Sequence, residues 1–123
     1  MSERDLTIKD RLSEILESIE LIEEWSQGMT ELQDFMISPG KVMAFNACVM
    51  RLQVIGEHVG RLLKEPSNPL DGYTEIPWKA IYGMRNLISH EYGNVDETIV
   101  VLVINDDLPK LKKVINELLL KFQ

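Results

Sequence analysis

The sequence is poor in several things that would each point to a function. It has one cysteine, Cys48, so an intrachain disulfide framework and a cysteine-rich zinc site are both excluded. On an apolar helical segment, Cys48 reads as a small packed hydrophobe. The longest uninterrupted aliphatic run, Ile99 to Ile104, is far too short to cross a bilayer. Met1 to Asp10 is charged and lacks the apolar core of a secretory signal. A reducing cytoplasm is the expected location, with no membrane partner. Phosphate-binding glycine loops, Ser-His-Asp sets and metal-ligand clusters do not stand out, so neither a cofactor nor a metal is expected. His58 has Glu57 beside it, but adjacent residues on a helix do not face one ligand.

Net basic charge is also missing. The chain of 123 residues carries 13 Lys and Arg against 20 Asp and Glu, a net −7. The distribution is uneven: residues 1–38 hold three basic and ten acidic residues, the whole −7, whereas residues 39–123 hold ten of each. The surplus falls on the expected solvated face of the first helix. A neutral remainder is not a basic groove, and nothing in it supports strong nonspecific binding of nucleic acid. Lys110, Lys112 and Lys113 read as solvated helix surface, with a supporting phosphate contact as the alternative.

What is present is helical periodicity. At 45% apolar and 27% charged residues, the length suits one helical domain over residues 1–123. Ile8, Leu12, Ile15, Ile19, Ile22 and Trp25 step by three or four, one buried helical face, with Thr7 or Asp5 as cap and Gly28 as stop. Thr30-Glu31-Leu32 opens a short turn or loop closed by Ser38-Pro39-Gly40. A second long segment, Lys41 to Lys64, repeats the pattern. Gly56 and Gly60 within it lower helix propensity and read as packing positions for another helix. Pro66, Asn68, Pro69, Asp71 and Gly72 break the pattern and shape a site rim or a partner surface. Pro77 fits the first turn of a helix from Trp78 to His90. Asp96 caps a segment from Glu97 to Asp106, and after Pro109 comes a last amphipathic face. The expected fold is all-α, an up-and-down bundle of four or five helices.

The chemistry concentrates in Met84-Arg85-Asn86-Leu87-Ile88-Ser89-His90-Glu91-Tyr92. Arginine is charged at any physiological pH and offers a planar fork of donors to phosphate oxygens. Histidine exchanges a proton near neutrality. The pair suffices in principle to cleave RNA without a metal. Each residue also has a plainer reading: Arg85 as a surface cation or partner of Glu57 or Glu91, His90 as a C-terminal helix cap, Asn86 as a solvated amide, and Tyr92 as a half-buried aromatic. On one ideal helix Arg85 and His90 diverge by about 140°, so the chain turns near His90 or two subunits share a cleft. Trp25 and Trp78 read as core or interface anchors.

Arg85, four residues, His90, one residue, Tyr92 resembles the R-x4-H-x-Y signature of the HepT branch of HEPN ribonuclease toxins. Ile55-Gly56-Glu57, Ile76-Pro77-Trp78, Gly83-Met84-Arg85-Asn86 and Asp107-Leu108-Pro109 are similar to further family motifs in the same order, over about residues 5–122. His58, where a small residue is frequent, and Gly93, where an aromatic is frequent, depart from the pattern. The resemblance implies a HEPN-like, homodimeric, metal-independent endoribonuclease, with RNA rather than DNA as substrate. It implies that Arg85 and His90 are catalytic, that Asn86 supports them, and that paired motifs face each other. It further implies a toxin–antitoxin system in which a cognate minimal nucleotidyltransferase antitoxin adds AMP to Tyr92. The rival reading is a noncatalytic helical module that binds a nucleotidyltransferase or a nucleotide. A third is a structural helical dimer that retains the motif.

Overall fold

A computed structural model describes residues 7–87 and 96–122 of the chain. Every regular element among them is helical, as the periodicity requires. α1 (Ile8–Trp25) starts at Thr7, whose hydroxyl accepts from the Asp10 amide while the Asp10 carboxylate accepts from the Thr7 amide. This reciprocal box satisfies two donors that a helix start otherwise leaves open. The chain leaves α1 through Gly28, in the left-handed region at φ 77°.

After a single turn, α2 (Leu32–Phe35), comes α3 (Pro39–Leu63), the longest helix. It begins two residues before the expected Lys41, because Ser38 caps it by accepting from the Lys41 amide and Pro39 occupies the first turn. Leu12, Ile15, Ile19 and Ile22 of α1 are fully buried in one cluster with Leu52, Ile55, Val59 and Leu62 of α3 and Leu111 and Ile115 of the last helix.

Two features differ from the expectation. The helix that begins at Trp78 is shorter: α4 (Trp78–Gly83) gives way to a 3₁₀ turn, Met84–Asn86. Gly83 weakens the α-form there, and Met84 is pulled into the core with Ile81. The rest of the expected span, residues 88–90, lies outside the described residues.

Second, no break separates the last two segments. α5 (Glu97–Leu102), capped by Asp96 onto the Ile99 amide, passes through a π turn, Val103–Asp107, into α6 (Leu108–Lys121). Pro109 has no N–H for the Asn105 carbonyl, and its ring would crowd that group in an α-helix. The wider π turn relieves the conflict without ending the helix. Counting this rod once, the described residues hold five helical units, within the expected four or five. The β-branched run Ile99-Val100-Val101 is helical, as the all-α expectation requires, with Val100 and Val101 buried against its local strand preference.

The connection from α3 to α4 is a chain of tight turns, left-handed at Asn68 (φ 45°) and Gly72 (φ 92°) and pinned by buried Leu70 and Ile76. Among the described residues, no helix is long and apolar enough to cross a membrane.

Candidate active site

The site is built where α3 and the 3₁₀ turn meet, and Gly56 sets the distance. A β-carbon on Gly56 would lie 2.7 Å from the Arg85 backbone nitrogen and 2.9 Å from the Ile81 carbonyl oxygen. Real β-carbons do not approach backbone that closely, so only glycine lets the turn carrying Arg85 lie against α3. One turn further on, a β-carbon at Gly60 would strike the ring of Tyr82. The two glycines thus act as the packing positions expected of them. Their partner is the backbone beneath Arg85.

Arg85 is exposed, and its guanidinium carbon sits 4.6 Å from the centroid of the Tyr82 ring. The ring face attracts the cation and holds it near α3. Below it opens a cleft of about 180 Å³ lined by Glu57, Gly60, Arg61, Lys64, Tyr82 and Arg85. Glu57 pairs with Arg61 at 3.8 Å, which answers one plain reading of Arg85 as the partner of Glu57. Both members of that pair are more than half exposed, at 56% and 60%, so the contact is weak and water-screened.

Three cations therefore face one carboxylate in a chain that is acidic overall. Arg61 and Lys64 come from the end of α3, and Arg85 from the 3₁₀ turn. No position in the linear sequence announces this cluster, because Arg85 is far along the chain from the other two. The usable signal was the Gly56–Gly60 spacing, which points the end of α3 at whatever packs there. By contrast, the exposed glutamates Glu14, Glu17, Glu20, Glu23 and Glu24 all belong to α1. Acidic charge and cationic cleft occupy different elements.

Asn86 is exposed on the same 3₁₀ turn as Arg85. His90, Tyr92 and Glu91, the other partner considered for Arg85, lie outside the described residues. Trp25 and Trp78 both pack on the core while staying half-buried. Lys112 is committed to Glu23 at 2.8 Å, which raises its pKa above the ordinary lysine value, and Lys110 and Lys113 are exposed. Cys48 is buried on α3, and burial pushes its thiol up to about 11, far from a reactive thiolate. His58 faces α1: its Nδ1 accepts from Arg11 Nη1 at 3.2 Å, and its Nε2 lies 4.0 Å from Glu14. Among the described residues, no three His, Cys, Asp or Glu side chains gather as a metal site.

The chemistry this arrangement offers is anion recognition with one oriented guanidinium. Comparison with known proteins agrees with that character. A family model named HepT-like and described as ribonuclease HepT-like matches residues 15–118. A protein of Caldanaerobacter subterraneus subsp. tengcongensis, provisionally named an RNase, is 35% identical over 115 residues, covering 94% of this chain and 96% of the relative. A protein of Thermococcus cleftensis named probable ribonuclease HepT is 34% identical over 104 residues, covering 85% of this chain and 88% of the relative. A Methanocaldococcus jannaschii protein whose name joins gamma-glutamylcyclotransferase to a provisional RNase is 38% identical over 106 residues. That match covers 86% of this chain but only 45% of the relative. No solved structure matches the chain.

Proposed function

Because the chain belongs to the HepT-like ribonuclease family, we propose that it is a metal-independent endoribonuclease whose phosphate site is the Arg85 cleft. One observation carries the reading. The guanidinium of Arg85 is seated over Tyr82, on a turn that Gly56 admits against α3, beside two further cations. Such a group can grip two phosphate oxygens and offset the charge that builds on phosphorus during attack.

In the reaction, His90 removes the proton of a ribose 2′-OH and the 2′-oxygen attacks the adjacent phosphorus. The bond from phosphorus to the 5′-oxygen breaks, and that oxygen takes a proton from the His90 imidazolium or from water as it leaves. The products are a 2′,3′-cyclic phosphate and a free 5′-OH. Asn86, on the same turn as Arg85, orients the phosphate or the base. DNA lacks the 2′-OH and is not a substrate.

The protein is one helical domain that works in the cytoplasm as a homodimer. Supporting the dimer, Met43, Ala47, Met50 and Val54 form an apolar stripe on α3, with Met43 71% and Met50 53% exposed. At about 100° per residue, Glu57 and Arg61 continue the same face, so the stripe leads into the cleft. A second copy on this stripe brings two motifs together. The activity is that of a toxin, silenced when a cognate nucleotidyltransferase transfers AMP to Tyr92 and adds charge and bulk where RNA docks.

Cleavage of labelled RNA by the purified protein, with and without EDTA, tests the reading. Arg85→Ala and His90→Ala should each lose about 10²–10⁴-fold in rate. Arg85→Lys should also fail, since a point charge does not reproduce the fork. Retained cleavage in the His90 variant, or its loss on chelation alone, overturns the mechanism. Intact mass after co-expression with the nucleotidyltransferase should show AMP increments that Tyr92→Phe abolishes. A stable complex that needs neither ATP nor the Tyr92 hydroxyl, without RNA cleavage, establishes the binding-module alternative instead.

A further inference from the structure

A second cleft, of about 170 Å³, opens where the turns between α3 and α4 meet the end of α3 and the start of α4. Its walls include Leu63 from α3, Asn68, Leu70 and Tyr73 from the turns, and Trp78 from α4. We propose that this cleft is a base-stacking subsite for a nucleotide of the same RNA strand whose phosphate Arg85 engages. The proposal rests on the reading of the Arg85 cleft as an RNA site and names its substrate as unpaired rather than duplex RNA.

Four observations carry it. First, the two clefts are neighbours by construction. Leu63 lines one and Lys64 the other; Trp78 lines one, and Tyr82, a helical turn later, lines the other. Trp78 to Arg85 is about 10 Å along the helix, a span that a short single-stranded segment bridges.

Second, the aromatic walls are fixed before any ligand arrives. Trp78 Nε1 donates to the Tyr73 carbonyl at 2.9 Å, and Lys121 Nζ donates to the Tyr73 hydroxyl at 3.0 Å. Both rings are half-buried, with their bodies on the core and the remainder open to the cleft. Preset rings lose little freedom on binding.

Third, the size is right for one planar ring. The cleft is well below the roughly 300–1,000 Å³ of pockets that enclose a whole drug-sized ligand. Fourth, the polar groups suit a base edge. Asn68, Asp71 and Thr74 line the cleft, and their amide, carboxylate and hydroxyl provide donors and acceptors, the carboxylate accepting from the amino group of a base. Lys121 Nζ lies over the Tyr73 ring, 5.3 Å from its centroid, and Lys64 lines the Arg85 cleft. A base on aromatics with its phosphates toward flanking cations is how single strands are held.

The test uses the intact protein and a short, fully 2′-O-methylated RNA oligonucleotide, which cannot be cleaved by 2′-oxygen attack. Abasic residues are placed at each position in turn, and affinity is read by fluorescence anisotropy. In the wild-type protein, one or two adjacent positions should lose about 5- to 150-fold in affinity when the base is removed. Trp78→Leu and Tyr73→Leu should weaken the intact oligonucleotide and erase that positional penalty, whereas Trp78→Phe keeps most of it. Arg85→Ala should weaken all oligonucleotides together and leave the positional penalty in place.

The wild-type scan decides even if a Trp78 variant fails to fold. A flat scan overturns the subsite, as does a penalty that persists undiminished in folded Trp78→Leu and Tyr73→Leu. Cleavage of unmodified RNA with a flat scan removes the subsite and spares the nuclease reading. A clear positional penalty without cleavage does the reverse.

Discussion

α1 and α3 are the two longest uninterrupted α-helices and pack side by side, yet they obey different rules. α1 is locally consistent throughout. It has a reciprocal cap at Thr7 and Asp10, one buried aliphatic face, and a solvated face of glutamates. α3 breaks local rules twice. It carries two glycines in its interior, each costing about 1 kcal/mol relative to alanine, and it leaves Met43 and Met50 in water. Departures of this kind concentrate where a helix serves something besides its own stability. Here the glycines admit the Arg85 turn, and the exposed methionines lead toward the cleft.

The sharpest way to break this comparison is to make α3 behave like α1. Gly56→Ala restores helix propensity but places a methyl against the Arg85 amide and the Ile81 carbonyl, backbone groups that have no room to give. Overpacking of this type costs about 1–3 kcal/mol, and the Arg85 turn must move. RNA cleavage should fall by about tenfold or more, since small misplacements of a catalytic group are costly. Gly40→Ala, in the open first turn of the same helix, is the control, with only Ser38 Oγ 4.0 Å from the added carbon. It should leave cleavage unchanged and hold or raise the urea midpoint. If Gly56→Ala cleaves RNA as well as Gly40→Ala, the close approach is not what positions Arg85.

A smaller effect sharpens the electrostatic side. Arg61→Ala and Lys64→Ala should each weaken RNA binding several-fold and lower the slope of log affinity against log salt by about 1. Lys9→Ala, an exposed cation on acidic α1, should change neither. An equal loss from all three would mean that the cleft is no more cationic, in function, than the rest of the surface.

The legible parts of the molecule were the local ones. The Thr7 cap, the buried face of α1 and Asp96 as a cap all follow from a few adjacent residues, whereas Ser38-Pro39 read as the close of a loop and is the start of α3. The role of Gly56 and Gly60 was legible as packing, but their partner was not, because the residues that meet them come from beyond the turns at 64–77. The helix expected to run on from Gly83 tightens instead, since burial of Met84 outweighs the periodic pattern. Pro109 read as a break because the π turn that absorbs it has no signature of its own. The cationic cleft was the least legible feature: summing charge along residues 39–123 gives zero, and only folding separates Arg61, Lys64 and Arg85 from the acids that cancel them.

The smallest expected effect lies on the seam between the two helices. His58 of α3 is nearly covered, its side chain 12% exposed, and it faces Arg11 and Glu14 of α1. Burial holds its pKa below the ordinary histidine value; the Arg11 guanidinium adds to this, and Glu14 and Glu57 oppose it. Nδ1 accepts from Arg11, so a proton there would remove that bond and set two cations face to face. The linkage follows in sign. Above pH of about 6.5 the ring is neutral in both folded and unfolded chains, and its contribution to stability is fully present. As pH falls from there through the lower folded value, the unfolded chain takes up the proton first and stability is lost. Wild-type protein should therefore lose more of its urea midpoint between pH 7.5 and 5.5 than His58→Gln, which keeps a side chain able to accept from Arg11. The choice of window keeps most carboxylates ionised, and His90, common to both proteins, cancels in the difference. Equal losses would show that the α1–α3 seam is indifferent to the charge of His58. A greater loss in the variant would mean that Glu14 and Glu57 outweigh burial and Arg11, reversing the sign of the shift.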